Sequence, residues 1–317
     1  MVKCATGLFA KPSSPGDFCM AIVCLDLKFH GQARAIAAYA IPYTQGIVLV
    51  DCGPASTLTG LQAALEAAGL DWRAVTHVLL THIHLDHAGA AGILAQQGAQ
   101  IYVHPLGAPH LVNPEKLLNS ARRLYGEHLE SLWGDFQPLP AESLVTVQDG
   151  QSIAIGKLHV TALHTPGHAE HHVAYLFEDV CFAGDLGGVR RPGPLYLRLP
   201  FVPPETHLTK WRTSVQRLQE CGARQVAVSH FGLYPDAPAH WALLLRLLDE
   251  TEVWLRANMD ANPPLETLTA RYTSWLRQQG LALGIDPAVL DEYDQANPAL
   301  MNLLGLQRYW QKVIQGK

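Results

Sequence analysis

Three histidines and one aspartate fall within six residues in the stretch Thr81-His82-Ile83-His84-Leu85-Asp86-His87-Ala88-Gly89. Imidazole nitrogens and carboxylate oxygens are donors that suit zinc, iron or manganese. The apolar run Val78-Leu79-Leu80 comes directly before, and small residues follow through Gly92. That order reads as a strand end, a turn and the start of a tightly packed helix. In extended backbone His82 and His84 point to the same side, because side chains alternate with period two. Asp86 and His87 then sit on the turn and face a second point, so one segment can serve two adjacent ions. Chance surface or core use explains the cluster poorly, since histidine supplies only 16 of 317 residues.

The stretch resembles the HxHxDH signature of the metallo-β-lactamase superfamily, whose members are mostly two-metal hydrolases. Further motifs of that family occur in its order: His164-Thr165-Pro166-Gly167-His168, Phe182-Ala183-Gly184-Asp185 and Val228-Ser229-His230-Phe231-Gly232. The resemblance covers about residues 17 to 258. It implies that His82, His84 and His168 hold a first metal, that Asp86, His87 and His230 hold a second, and that Asp185 bridges both. Two divalent ions are implied, zinc first, with iron or manganese as the other choices. Asp51, in Val48-Leu49-Val50-Asp51-Cys52-Gly53, is similar to an upstream acidic residue that buttresses the histidine loop without binding metal. The implied chemistry is attack of a metal-bound hydroxide on the carbonyl of a small ester, thioester or lactone, with Asp86 also moving the proton to the leaving group. Antibiotic-destroying relatives carry a cysteine near Asp185, and this departure argues against β-lactam hydrolysis. Four other readings are a phosphodiesterase or nuclease, a mononuclear iron sulfur-dioxygenase, a flavodiiron electron-transfer protein, which normally has a carboxylate where His84 stands, and a metal-stabilised binding protein without catalysis.

The elements that must position these residues follow an α/β rhythm. Strands are expected over Phe18–Phe29, Ala33–Ile41, Gly46–Asp51 and Val75–Leu80, then Gln100–His104. Helices are expected after Ser56, which can cap the first, and over Ala88–Gln97. The second half repeats the plan with strands Leu144–Val147, Ser152–Ile155, Leu158–Leu163, His172–Phe177, Val180–Ala183 and Arg224–Val228. Its helices are expected over Thr206–Glu220 and His240–Asn258. Two such halves fit the four-layer αβ/βα sandwich that the resemblance implies, occupying residues 1 to 258. A proline-punctuated insertion at about 105–140 carries helices Glu115–Tyr125 and Glu127–Trp133, as a pocket wall or a packed satellite. Residues 259–317 read as helices broken at Gly280, Asp286-Pro287, Asn297-Pro298 and Gly305, which pack on the sandwich, cap the cleft or form a homodimer contact.

The resemblance implies a small-molecule substrate, and composition weighs against other partners. The formal charge of -5 argues against a nucleic-acid binder. No run reaches the ~18 apolar residues of a membrane span, and Met1–Gly16 lacks the features of a signal peptide, so a cytoplasmic protein is expected. Six scattered cysteines, without a CxxC pair, read as reduced thiols. Arg190, Arg191 and Arg198 are expected as a solvated charge run, with recognition of an acidic substrate as the sharper alternative. His171 and His172 are expected to brace ligands or cap backbone, and His104 and His110 to serve structure.

Overall fold

A computed structural model of the protein describes residues 21–259 and 263–316. The segment Met1–Gly16, Cys4, Cys19 and the first residues of the strand expected from Phe18 lie outside them. The first sheet has the strand order β1 (Val23–Asp26), β2 (Ala37–Tyr43), β3 (Gly46–Val50), β4 (Val75–Leu79), β5 (Gln100–Val103) and β6 (Leu144–Thr146). The second comprises β7 (Ser152–Ile155), β8 (Leu158–His164), β9 (Val173–Phe177), β10 (Val180–Phe182), β11 (Gln225–Val228) and β12 (Gly232–Tyr234), in the order β12 to β7. The helices are α1 (Leu58–Ala67), α2 (Leu85–Ala88), α3 (Ala91–Gln96), α4 (Ala108–Val112), α5 (Glu115–Tyr125), α6 (Leu129–Trp133), α7 (Leu208–Glu220) and α8 (Ala237–Met259). Three more follow: α9 (Leu265–Ala282), α10 (Pro287–Ala296) and α11 (Ala299–Tyr309).

Strand patterning explains the layers. In β3, Val48 and Val50 enter the core between the sheets, while Ile47 and Leu49 enter the core beneath the helices. An unbroken apolar strand is what burial on both faces requires. The same split occurs in β11, where Ala227 faces the other sheet and Val226 and Val228 face α7 and α8. Helix α7 answers with Leu208, Trp211, Val215 and Leu218, one helical face. The result is the αβ/βα sandwich of the metallo-β-lactamase fold, with α9 and α11 packed outside α7 and α8 and α10 packed on the loop after β10.

Strand direction then gathers the chemistry at one edge. Strands β3 and β4 are parallel, so Asp51 and the Thr81–His87 segment leave the same edge of the first sheet. In the second sheet β10 and β11 are parallel, and β8 runs the same way because both it and β10 are antiparallel to β9. His168, Asp185 and His230 therefore follow carboxyl ends that share an edge, where α/β sheets place their ligands.

Several expectations need correction. Asp86 and His87 lie in the one-turn helix α2, separate from α3, so the expected single helix from Ala88 is two. Ser56 does not cap α1; its hydroxyl donates to the Leu132 carbonyl at 2.7 Å. Strand β12 has no counterpart among the expected strands. Helices α9 and α11 run through Gly280 and Gly305 unbroken. At Gly305 a Cβ would sit 2.4 Å from the Phe201 carbonyl oxygen, so glycine serves close approach rather than termination.

The three arginines are not solvated. Arg190, Arg191 and Arg198 are 4%, 3% and 1% exposed, which overturns the charge-run reading. Arg190 makes a two-pronged bond to Asp236, 2.7 Å on each arm, beneath the Tyr234 ring. Arg191 donates to the carbonyls of Ala33 and Glu292, and Arg198 pairs with Asp294 and Tyr196. The loop after β10 is thus pinned to α8 and α10 by buried guanidinium groups, whose planar donors suit such roles. Replacing Asp294 by alanine leaves the interior Arg198 without its carboxylate. A loss on the order of 3 kcal/mol is expected, measured as a lower urea midpoint with an unchanged slope.

Candidate metal centre

Two groups of donor atoms meet at that edge. His82, His84 and His168 form one, and Asp86, His87, Asp185 and His230 form the other, with the ligand atoms of each within 4.8 Å of one another. All seven residues expected from the sequence are thereby brought together. In the second group His87 Nε2 lies 3.5 Å from Asp86 and 3.3 Å from Asp185, and His230 Nε2 lies 3.4 and 3.3 Å from the same pair. These separations are long for charge-assisted hydrogen bonds. They match the roughly 3.3–3.6 Å edges of a tetrahedron whose ligands stand about 2.0–2.2 Å from a central ion. Asp185 faces both groups: Oδ1 approaches His87 and His230, and Oδ2 lies 3.4 Å from His168 Nε2.

Hydrogen bonds around the rings decide which nitrogen each offers. His168 Nδ1 lies 2.8 Å from the Pro200 carbonyl and His230 Nδ1 lies 2.9 Å from that of Ala35. A carbonyl only accepts, so each Nδ1 carries the proton and each Nε2 faces the centre. Asp51 treats His87 Nδ1 likewise at 2.8 Å. Thr81 Oγ1 donates to Asp51 and stands 3.1 Å from His82 Nδ1, leaving His82 Nε2 inward. His82 Nε2, His87 Nε2 and Asp185 Oδ1 are buried with no hydrogen-bond partner among the described residues. Buried polar atoms are rarely left so, and inward Nε2 with an oxygen acceptor on Nδ1 is how metal-binding imidazoles are oriented. The residues fit divalent cations.

Electrostatics divides the centre. Burial pushes His82, His84 and His168 below the ordinary imidazole range, His84 to about 4, so these rings are neutral and keep their lone pairs. In the second group burial is outweighed. Asp86, Asp185 and Asp51 lift His87, and Asp185 with Asp86 lifts His230 to about 10. Burial would raise the carboxyls, but His87 and His230 hold Asp86, and His230, His87 and His168 hold Asp185, below the usual carboxylate range. Two ionised carboxylates this close call for compact positive charge between them.

The local backbone explains why these atoms converge. Asp51 closes β3 with φ 56, in the left-handed region that costs a non-glycine residue about 1–2 kcal/mol. Its carboxylate accepts from the Thr81 N–H at 2.8 Å, the Thr81 hydroxyl at 2.9 Å and the Ser229 hydroxyl at 3.0 Å, besides His87. It stands outside both donor groups. Gly184, at φ 51, lets the Asp185 turn press on Thr81 and His172, where a Cβ would meet His172 Nε2 at 2.6 Å. Trp211 and His240 hold the same turn by donating to the carbonyls of Leu186 and Gly187.

The pattern of the metallo-beta-lactamase superfamily matches residues 32–230. The chain belongs to that superfamily. A metallo-beta-lactamase fold-containing protein of Sulfurisphaera tokodaii is 28% identical over 161 residues, covering 50% of this chain and 60% of that protein. A hydroxyacylglutathione hydrolase of Shewanella sp. (strain ANA-3) is 29% identical over 143 residues, 44% of this chain and 43% of its own length. The chain thus spans about half the length of these relatives. Among solved structures, a metallo-beta-lactamase family protein from Thermus thermophilus superposes with a TM-score of 0.62 at 22% identity, covering 92% of this chain and 93% of that one. That likeness shows the fold and extends into the terminal helices. Members of this superfamily are metal-dependent hydrolases.

A cavity of about 540 Å³ opens beside His84, Asp86 and Asp185. The 105–140 insertion does both things its residues allow: Leu117, Leu124, Tyr125 and Trp133 line the cavity, and Leu117, Tyr125 and Trp133 also pack on the first core. His110 lines it too, whereas His104 is buried, receives the Leu106 N–H and stacks near His164. His171 lines the cavity and receives the Ile83 N–H, while His172 bonds Thr165 and Leu186. The sequence reading missed Lys116, Glu205 and the Pro203-Pro204 loop, which carry no motif. Replacing Asp51 by alanine strands several buried donors at about 1–3 kcal/mol each. We expect a lowered urea midpoint together with reduced metal content on purified protein.

Proposed function

We propose a dinuclear metal-dependent hydrolase that cleaves a small ester, thioester or lactone. The observation that carries this reading is Asp185, whose two oxygens face the two donor groups at the floor of one cavity. His82, His84 and His168 would hold one ion, and Asp86, His87 and His230 the other, with Asp185 shared. Zinc suits this donor set best, and iron or manganese are the alternatives. Divalent ions bound there would lower the pKa of water and polarise an acyl carbonyl.

The chain's own residues divide the remaining work. Asp86 lines the cavity with 20% of its side chain exposed, where it can take a proton from water and deliver it to a leaving oxygen or sulfur. Inserted helices and the Val202–Glu205 loop would flank the acyl group. The thioester option draws support from the Shewanella hydroxyacylglutathione hydrolases. Among the described residues Lys116 is the sole lysine or arginine in the cavity wall, which weighs against a phosphodiester substrate. Among those residues, too, no helix is long and apolar enough to cross a membrane, and Cys52 and Cys181 are buried free thiols. The substrate we propose is a small molecule of the cytoplasm.

Metal analysis with a screen of thioesters, lactones, aryl esters and bis-p-nitrophenyl phosphate tests the reading. Two ions per chain and turnover of a carboxyl ester, thioester or lactone are expected. Phosphodiester turnover alone, or iron with oxygen uptake, overturns it. His84→Ala and Asp185→Ala should each abolish turnover and lower metal content; full activity after complete metal loss is the opposite result.

A further inference from the structure

We infer that the centre selects acyl groups with an uncharged, apolar body, and that α5 and α6 make the selection. This rests on the hydrolase reading above and names the substrate class within it. Helix α5 turns Leu117, Ser120, Ala121, Leu124 and Tyr125 toward the cavity, positions spaced as one helical face. Its opposite side carries exposed Arg122 and Arg123. In a helix that merely packed as a satellite, this apolar face would be fully covered by protein. Here it borders a cavity whose volume, about 540 Å³, falls in the range of small-molecule sites.

Aromatic packing braces the wall. Trp133 stacks on Phe29 at 5.2 Å and 18°, and Tyr125 meets the Trp133 edge at 5.2 Å and 71°. Val202, Pro203 and Pro204 border the same cavity from another loop, and Leu106, 58% exposed, adds an apolar residue to its lining. Charge points the same way. Apart from the metal-site carboxylates, Glu170 and Glu205 line the cavity against the single cation Lys116, among the described residues. Glu205 accepts the Glu170 N–H at 2.8 Å, and Lys210 pairs with Glu170, so this acidic corner is internally fixed. A substrate carrying two carboxylates, as a glutathione thioester does, would find one lysine to meet them. A hydrocarbon body would find three apolar walls.

The test uses the metal-loaded full chain and the p-nitrophenyl esters of acetate, butyrate, hexanoate and octanoate, with S-lactoylglutathione as the charged comparison bearing a small polar acyl group. Burial of each methylene is expected to raise kcat/KM by about fourfold until the cavity fills. With four more methylenes, hexanoate should exceed acetate by roughly 250-fold on that basis, and S-lactoylglutathione should be the poorest carboxyl substrate. Leu124→Asn should flatten the series to below about twofold per methylene, with its thermal midpoint and metal content reporting that it has folded. Leu106→Asn, at an exposed position, provides the same comparison without risk to the core. A flat series in the native protein, or preference for S-lactoylglutathione over hexanoate, overturns this inference and leaves the hydrolase reading intact. Absence of turnover with every ester, thioester and lactone overturns both.

Discussion

One buried carboxylate holds this molecule's chemistry in register. Asp51 is 2% exposed and receives donors from Thr81, His87 and Ser229. An ionised carboxylate has about four acceptor sites, and the four donors here use them. Through Thr81 and His87 it fixes the histidine segment of the first sheet. Through Ser229 it fixes the residue beside His230, which belongs to the second. Two sheets held only by apolar packing could slide by a fraction of an ångström at little cost, because dispersion is undirected. Directed bonds remove that freedom where donor atoms must meet within narrow limits: those to Asp51, joined by the Tyr39 and Tyr175 hydroxyls, which donate across the sheets to the Val228 and Leu80 carbonyls.

Chemistry and selection occupy different parts of the structure. Every donor group follows a strand or a strand-end turn, so the stiffest part of the fold sets its position. The cavity wall instead comes from short helices and loops inserted between strands. This arrangement lets one sandwich serve many substrates, since a wall can change without disturbing the floor. The superfamily assignment therefore reaches the floor, and the substrate has to be read from the wall.

What was legible in the sequence followed locality. The His82–His87 segment announces itself because its spacing and its strand are contiguous, and the split apolar face of β3 shows in Ile47 to Val50 alone. Other features depend on residues far away in the chain. Arg190 and Arg198 read as solvated charges because their carboxylates, Asp236 and Asp294, lie 46 and 96 residues on. The carbonyls of Ala35 and Pro200, which orient His230 and His168, have no residue signature, since every residue carries a carbonyl. Gly305 looked like a helix end because the approach of Phe201, its neighbour in space, leaves no trace in local sequence.

The Pro200–Phe201 linkage joins distant parts of the protein. Its carbonyl receives the proton of His168, while its N–H is held at 2.9 Å by Asn302 on α11. A peptide unit is a rigid plane, so its two ends cannot move independently. Tilting α11 therefore rotates the oxygen that aims an imidazole at the opposite end of the plane. The terminal helices stay outside the cavity yet hold the handle of one of its levers.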